Sequence, residues 1–340
     1  ETLEKFTVNN TTGTITTTGF TITNFVNTQG MDISPDGTTI AISDASTYDQ
    51  VFGFNTGTGS LSWTLGRSES YVDDARVYND KFLFKDIDEI ESEYAYVHYQ
   101  SDGSLWINDK GNQRQILFDS SRNYVDQIAY LQGFYRTSVD NADNTRVFAN
   151  FLEYEIDYTQ PLLADGGANG SWTLKANWGV AENLTNYLGL GTYAIGNIVT
   201  FSNGRTYTMM NDKDTGNGGA YGRIWELVTG AALRDTGVIV DTRNSNTVFL
   251  GNDTMEKTYR RSGVQYFESY PITFDGNNNP ILGSKTNIGS LVENGLYQGG
   301  ASGGINGQYT TSGDRVIFYG NESSEGDYHL GVYDLNNDKF

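Results

Sequence analysis

The stretch Asn211-Asp-Lys-Asp-Thr-Gly-Asn-Gly218 sets side-chain oxygens at alternate positions and ends in glycines that allow a sharp bend. A hard divalent cation such as Ca2+ takes about six to eight oxygen ligands, and a bent loop of carboxylates and amides supplies them. Asp212, Asp214 and Asn217 are therefore the candidate metal ligands, and Ca2+ the expected ion. Two positions argue the other way. Gly216 stands where a further alternate oxygen is wanted, and Arg223 where a bidentate glutamate would close the shell. A bare glycine turn is the competing reading.

Acids also gather in a few short windows: Asp44 and Asp49; Asp86, Asp88, Glu89, Glu91 and Glu93; Glu153, Glu155 and Asp157; Glu322, Glu325 and Asp327. Each window falls where a second strand would turn into a third, so the acids are expected on one rim. Tyrosines in loops offer flat faces for a sugar ring. Asp86, Asp88, Glu89, Tyr48 and Tyr221 are the candidate ligand-binding residues. A solvated acidic surface is the plain alternative. The five tryptophans, Trp106 among them, are expected to pack between sheets.

Catalytic constellations have little to draw on. The chain has 2 histidines, His98 and His329, and no cysteine, which excludes thiol chemistry and disulfides. Both histidines are expected on third strands, in packing roles. Glycoside hydrolysis needs two carboxyl groups about 5–10 Å apart. Asp32, Asp126 and Glu182 are expected on innermost strands where such a pair would sit, with nothing further marking them. No catalytic set and no cofactor-binding set is assigned.

These residues are positioned by a repeated phrase. Gly30-Met-Asp-Ile-Ser-Pro-Asp-Gly-Thr-Thr-Ile-Ala-Ile-Ser-Asp44 reads as strand, tight turn, strand, and residues 51–61 add a second strand pair. The phrase returns at residues 304–319 and 329–337. Alternating apolar residues mark second strands at 39–43, 81–85, 146–151, 205–210, 257–261 and 315–319. Third strands are expected at 6–8, 51–54, 94–99, 222–227, 265–274 and 330–334, each followed by a turn rich in Asn and Gly. A four-stranded sheet without helices must bury its faces on like neighbours. The expectation is an all-β chain, a β-propeller of four-stranded antiparallel blades, as one domain over residues 1–340. Seven blades are preferred to six, with residues 6–20 an orphan third-and-fourth pair. Glu1 and Phe340 read as the ends of a piece of a longer chain.

Composition fits. Among 340 residues, 40 are Gly, 4 Pro, 23 Tyr and 17 Phe, which suits short strands, glycine turns and aromatic packing. With 22 Lys and Arg against 42 Asp and Glu, the formal charge is −20. A polyanion repels phosphate backbones, so nucleic acid and anionic membrane surfaces are poor partners. No apolar run of about 18 residues is present, so no membrane insertion is expected.

Ser34-Pro-Asp-Gly37 before residues 39–43, then Val51-Phe-Gly-Phe54 and Thr58-Gly-Ser-Leu61, resemble the repeat of YVTN-type surface propellers. Ser312-Gly-Asp-Arg-Val-Ile-Phe318 with Gly331-Val-Tyr-Asp-Leu335 is a looser copy. The two units cover about a quarter of the chain. The resemblance implies a seven-bladed ring used for adhesion or as a scaffold, with some relatives lactonases or dehydrogenases. Ser101-Asp-Gly-Ser-Leu-Trp106 resembles a sialidase aspartate box lacking one residue. The Thr-, Asn-, Gly- and Tyr-rich, cysteine-free composition also resembles virion proteins of tailed phages. The expected function is a non-catalytic interaction or adhesion module on an extracellular surface or virion, binding a glycan or protein through its acidic rim. The alternatives are a carbohydrate-active hydrolase or lyase, or a metal-dependent lactonase-like hydrolase.

Overall fold

The structure is a computed structural model. It describes all residues except 24, 46–48, 69–74, 85–95, 131–136, 150, 162–170, 181–197, 212–220, 231–232, 242–244, 251, 262–263, 293–306, 310–314, 319–329 and 334–340. For residues 137, 180, 211, 221, 245–248, 250, 258–261, 264–267 and those after 286, only the backbone is described. The chain divides into two compact units, Glu1–Tyr135 with Thr145–Glu182, and Arg136–Asn144 with Asn183–Phe340.

In the first unit, β1 (Leu3–Val8) pairs with β2 (Ile15–Ile22). Then come β3 (Thr28–Ile33), β4 (Thr39–Asp44), β5 (Gln50–Asn55) and β6 (Leu61–Leu65), a four-stranded sheet in chain order. A second such sheet holds β7 (Val97–Tyr99), β8 (Leu105–Asp109), β9 (Arg114–Phe118) and β10 (Tyr124–Ala129). The second unit's first strand in sequence is β11 (Thr137–Val139). The first unit resumes with β12 (Arg146–Ala149), β13 (Leu152–Ile156) and β14 (Trp172–Asn177), paired antiparallel in sequence.

The second unit continues with β15 (Ile198–Thr200), β16 (Thr206–Asn211), β17 (Tyr221–Leu227) and β18 (Leu233–Asp241), again four strands in order. Next are β19 (Ser245–Leu250), β20 (Thr254–Arg261) and the long β21 (Val264–Phe274). One half of β21 pairs with β22 (Pro280–Leu282), the other with β23 (Thr286–Val292). β24 (Gly307–Tyr309), β25 (Arg315–Phe318) and β26 (Leu330–Tyr333) close the series. Consecutive four-stranded antiparallel meanders are the blades of a β-propeller. The described residues contain no α-helix, only two 3-10 turns, Lys110–Asn112 and Trp178–Val180.

Turn chemistry explains the order. Between first and second strands, Gly37, Gly103 and Gly204 take positive φ, and the preceding Asp36, Asp102 and Asn203 accept the backbone N–H two residues on. Between third and fourth strands, Asn55 and Gly59 close a five-residue turn in which Asn55 Oδ1 accepts the N–H groups of Gly57 and Thr58. Asn9 and Gly13 build the same turn between β1 and β2. By turn chemistry β1–β2 is a third-and-fourth pair, as expected. Its outer residues Phe6, Val8 and Ile15 are exposed, whereas Leu3, Phe20 and Ile22 pack with Phe25, Ile40, Ile42 and Phe54.

The strand phase of the second sheet differs from expectation. Residues 81–84 form no strand. Leu83 donates its N–H to Asp109 Oδ1 and accepts from Gly111 N–H, so its backbone is satisfied without a ladder. Phe82 and Phe84 stack at 5.5 Å in the seam between the first two sheets, which gives the segment its strand-like alternation. The strand at 97–99 is consequently first in its sheet, not third. Asp126 lies on β10, at the opposite edge of that sheet from β7.

Candidate binding site on the second sheet

Strand alternation divides the second sheet into two faces. Val97, Tyr99, Leu105, Ile107, Ile116 and Phe118 point into the seam with the first sheet. His98, Trp106 and Leu117 form a cross-strand row on the other face. Asn108 and Gln115 pair in the next row, where Asn108 N–H donates to Tyr96 O at 2.9 Å. Tyr96, Val97, His98, Trp106 and Gln115 line a depression of about 460 Å³. Small-ligand sites span roughly 300–1,000 Å³.

His98 is 66% exposed, and its Nδ1 lies 3.1 Å from Asp32 Oδ2. The same Oδ2 accepts the Tyr99 N–H at 2.8 Å, and Oδ1 accepts the Ile33 N–H. One carboxylate thus joins the first strands of two successive sheets, β3 and β7. The contact sets the Asp32 carboxylate beside the Nδ1 edge of the imidazole and leaves Nε2 as the ring's other polar atom. Behind this pair, burial raises the Tyr99 phenol, and Arg122, whose Nη2 donates to its hydroxyl at 3.3 Å, offsets part of that rise.

The arrangement offers aromatic surface, a planar amide and an oriented imidazole side by side. Such a set can grip a ligand with an apolar face and polar edges. An Asp-held imidazole can also accept a proton from a hydroxyl or water.

The other polar centres hold the fold together. Asp109 accepts from Arg114, Asn112 and the Leu83 N–H, and burial pushes its carboxyl up. Asn177 ties β14 to the same turn through Gly111 O at 2.8 Å. Glu226 receives Arg205 and Arg234, and Arg234 also reaches Asn279 at 2.7 Å. In the second unit, Asn141 and Thr200 exchange two hydrogen bonds that set residues after β11 beside β15.

Of the sequence-assigned site residues, Asp212, Asp214, Asn217, Asp86, Asp88, Glu89 and Tyr48 lie outside the described residues. Tyr221 opens β17 opposite Asp241, and its side chain lies outside them too. Described acids of the expected rim have local partners. Asp44 accepts the Val26 and Asn27 N–H groups, Glu153 accepts from Arg146 and Trp178, and Glu155 pairs with Lys175. Among the described residues, no group of three or more His, Asp or Glu is placed to hold a metal ion. Asp32 is on a first strand as expected, but its partner is His98 and not a second carboxylate. One expectation is corrected, since His98 is an exposed first-strand residue; Trp106 is half-buried and lines the depression. The shared turn of Asp36-Gly37 and Asp102-Gly103 was the sequence signal that places both.

No protein-family model matches the chain, and no curated protein matches it. Among solved structures it is similar to the Dos1 propeller, at 10% identity over 99% of this chain and 72% of that one, TM-score 0.27. A putative 6-phosphogluconolactonase from Bacteroides fragilis NCTC 9343 aligns at 10% identity over 97% and 93%, TM-score 0.29. The RRP9 WD40 repeats align at 10% identity over 86% and 87%, TM-score 0.26. The blade assignment rests on sheet order and turns, not on these likenesses.

Proposed function

We propose that the protein is a non-catalytic β-propeller interaction module of an extracellular surface or virion, binding a glycan or protein partner with the exposed face of its second sheet. The YVTN-like phrase at residues 31–61 supports the surface setting. One observation carries the binding reading: Tyr96, His98, Trp106 and Gln115 converge on a single depression beside the strand-joining Asp32. The test is binding of the purified chain to cell-surface or virion fractions, compared with Trp106→Ala and His98→Ala. Loss of binding in both variants supports the reading, and unchanged binding in both overturns it.

A second reading, a carbohydrate-active hydrolase, is favoured by the Asp32–His98 pair. There His98 would accept a proton from an attacking water. Release of new reducing ends from polysaccharide, abolished in His98→Gln, would establish it over the first.

A further inference from the structure

The geometry points to an uncharged pyranose residue of a glycan as the occupant of the Tyr96–Trp106 depression. This rests on the binding-module reading and narrows its ligand.

A pyranose has an apolar C–H face and a rim of vicinal hydroxyls. Trp106 is partly exposed on β8, and Tyr96, at 41% exposure, flanks it across the sheet. Both line the depression and offer aromatic surface to the C–H face. Gln115 brings a donor and an acceptor in one plane, the pattern that adjacent hydroxyls match. His98 adds its second nitrogen, and its first lies 3.1 Å from the Asp32 carboxylate.

Charge selects among sugars. Among the described residues the depression is lined by no Lys or Arg, and the Asp32 carboxylate lies 3.1 Å from its His98. The chain carries −20 overall. A uronate, sialate or sulfate would lose its water here and meet like charge. Hydroxyl-only sugars meet neither penalty.

A peptide strand fits less well. Adding a strand to a sheet edge needs free backbone N–H groups. On β7 the Tyr99 N–H is already taken by Asp32 at 2.8 Å, which removes one of the donors an added strand would use. What remains open is side-chain surface, which suits a ring.

The experiment is a glycan array with neutral, uronate-containing and sialylated oligosaccharides, probed with the wild-type chain, Trp106→Ala and Gln115→Leu. Gln115→Leu keeps the size of a partly exposed side chain and serves if Trp106→Ala loses its near-ultraviolet circular dichroism. The expected result is binding confined to neutral glycans and weakened roughly tenfold or more in each folded variant. Equal binding of acidic glycans, or neutral binding unchanged in both variants, would overturn the assignment. A blank array would overturn it too. If a blank array is accompanied by surface binding that still depends on Trp106, the pyranose falls and the binding module stands. Cleavage of an arrayed neutral glycan would remove the non-catalytic reading and keep the pyranose.

Discussion

Arg114 Nε donates to Asp109 Oδ2 at 2.7 Å, and both side chains are sealed from solvent, at 2% and 0% exposure. The rest of the guanidinium reaches Gln127 Oε1 and the carbonyls of Tyr78 and Lys81, while Asp109 holds Leu83 and Asn112. Residues 78–83 thereby stay in place without a ladder of their own. Removing one charge strands the other in a dry environment.

Asp109→Ala is therefore expected to destabilise the protein by about 3–5 kcal/mol. The double change Asp109→Leu with Arg114→Met should recover much of that, because it removes both desolvated charges. Denaturant midpoints with unchanged m-values report the difference. A single-variant loss below about 1 kcal/mol would contradict the burial of the pair.

Trp63 pairs with Gly53 across the neighbouring strands and packs its indole against that glycine, and the Arg122 guanidinium sits 4.3 Å from the indole centroid. A Cβ on Gly53 would occupy the space of the indole itself. Gly53→Ala must displace Trp63 and with it the contact to Arg122, at a cost of about 1–3 kcal/mol. In a Trp63→Leu background the same change should cost markedly less. Equal costs in the two backgrounds would show that Trp63 is not what excludes the methyl group.

The hairpin turns make stability depend on acid. Asp36, Asp102, Asp119, Asp157 and Asp275 are each held below the ordinary value of 3.8 by hydrogen bonds in their own turns. A carboxyl depressed on folding binds fewer protons in the folded state than in the unfolded one. Its contribution is present above the unfolded pKa and is lost as pH falls through the folded value. The urea midpoint should thus hold from pH 6 to about pH 4 and drop steeply below. Asn at positions 36, 102 and 119 keeps a turn-forming oxygen but does not titrate, so the drop should become shallower. An unchanged slope would exclude these turns as its source.

Much of the fold was legible because turn and strand signals are local. Asn9 and Asn55 build the same third-to-fourth turn, and residues 39–43, 205–210 and 257–261 are second strands as their alternation implied. The second sheet was misphased because Phe82 and Phe84 alternate like a strand while their backbone is satisfied by a distant carboxylate, Asp109. That contact joins positions 26 residues apart and leaves no periodic trace. The site was hidden for a related reason. Asp32 and His98 are 66 residues apart, and only the docking of two first strands brings them to 3.1 Å. The shared Asp-Gly turn marks β7 and β8 as first and second strands, but nothing in the sequence separates the seam face of β8 from the face of Trp106.

Asp32 acts on ligand through His98 and is a positioning residue. Asp32→Ala frees the imidazole and leaves the Tyr99 N–H without its acceptor, so affinity for the surface ligand should fall about threefold to tenfold. Asp32→Asn retains an oxygen that can accept from the Tyr99 N–H and stay beside His98 Nδ1. Affinity should therefore return close to wild type in Asp32→Asn, although the charge is gone. His98→Ala should weaken binding as much as Asp32→Ala, and the double variant no further, since both remove one oriented nitrogen. Equilibrium titration of the four proteins decides the point: additive losses would mean that Asp32 serves only to join β3 to β7.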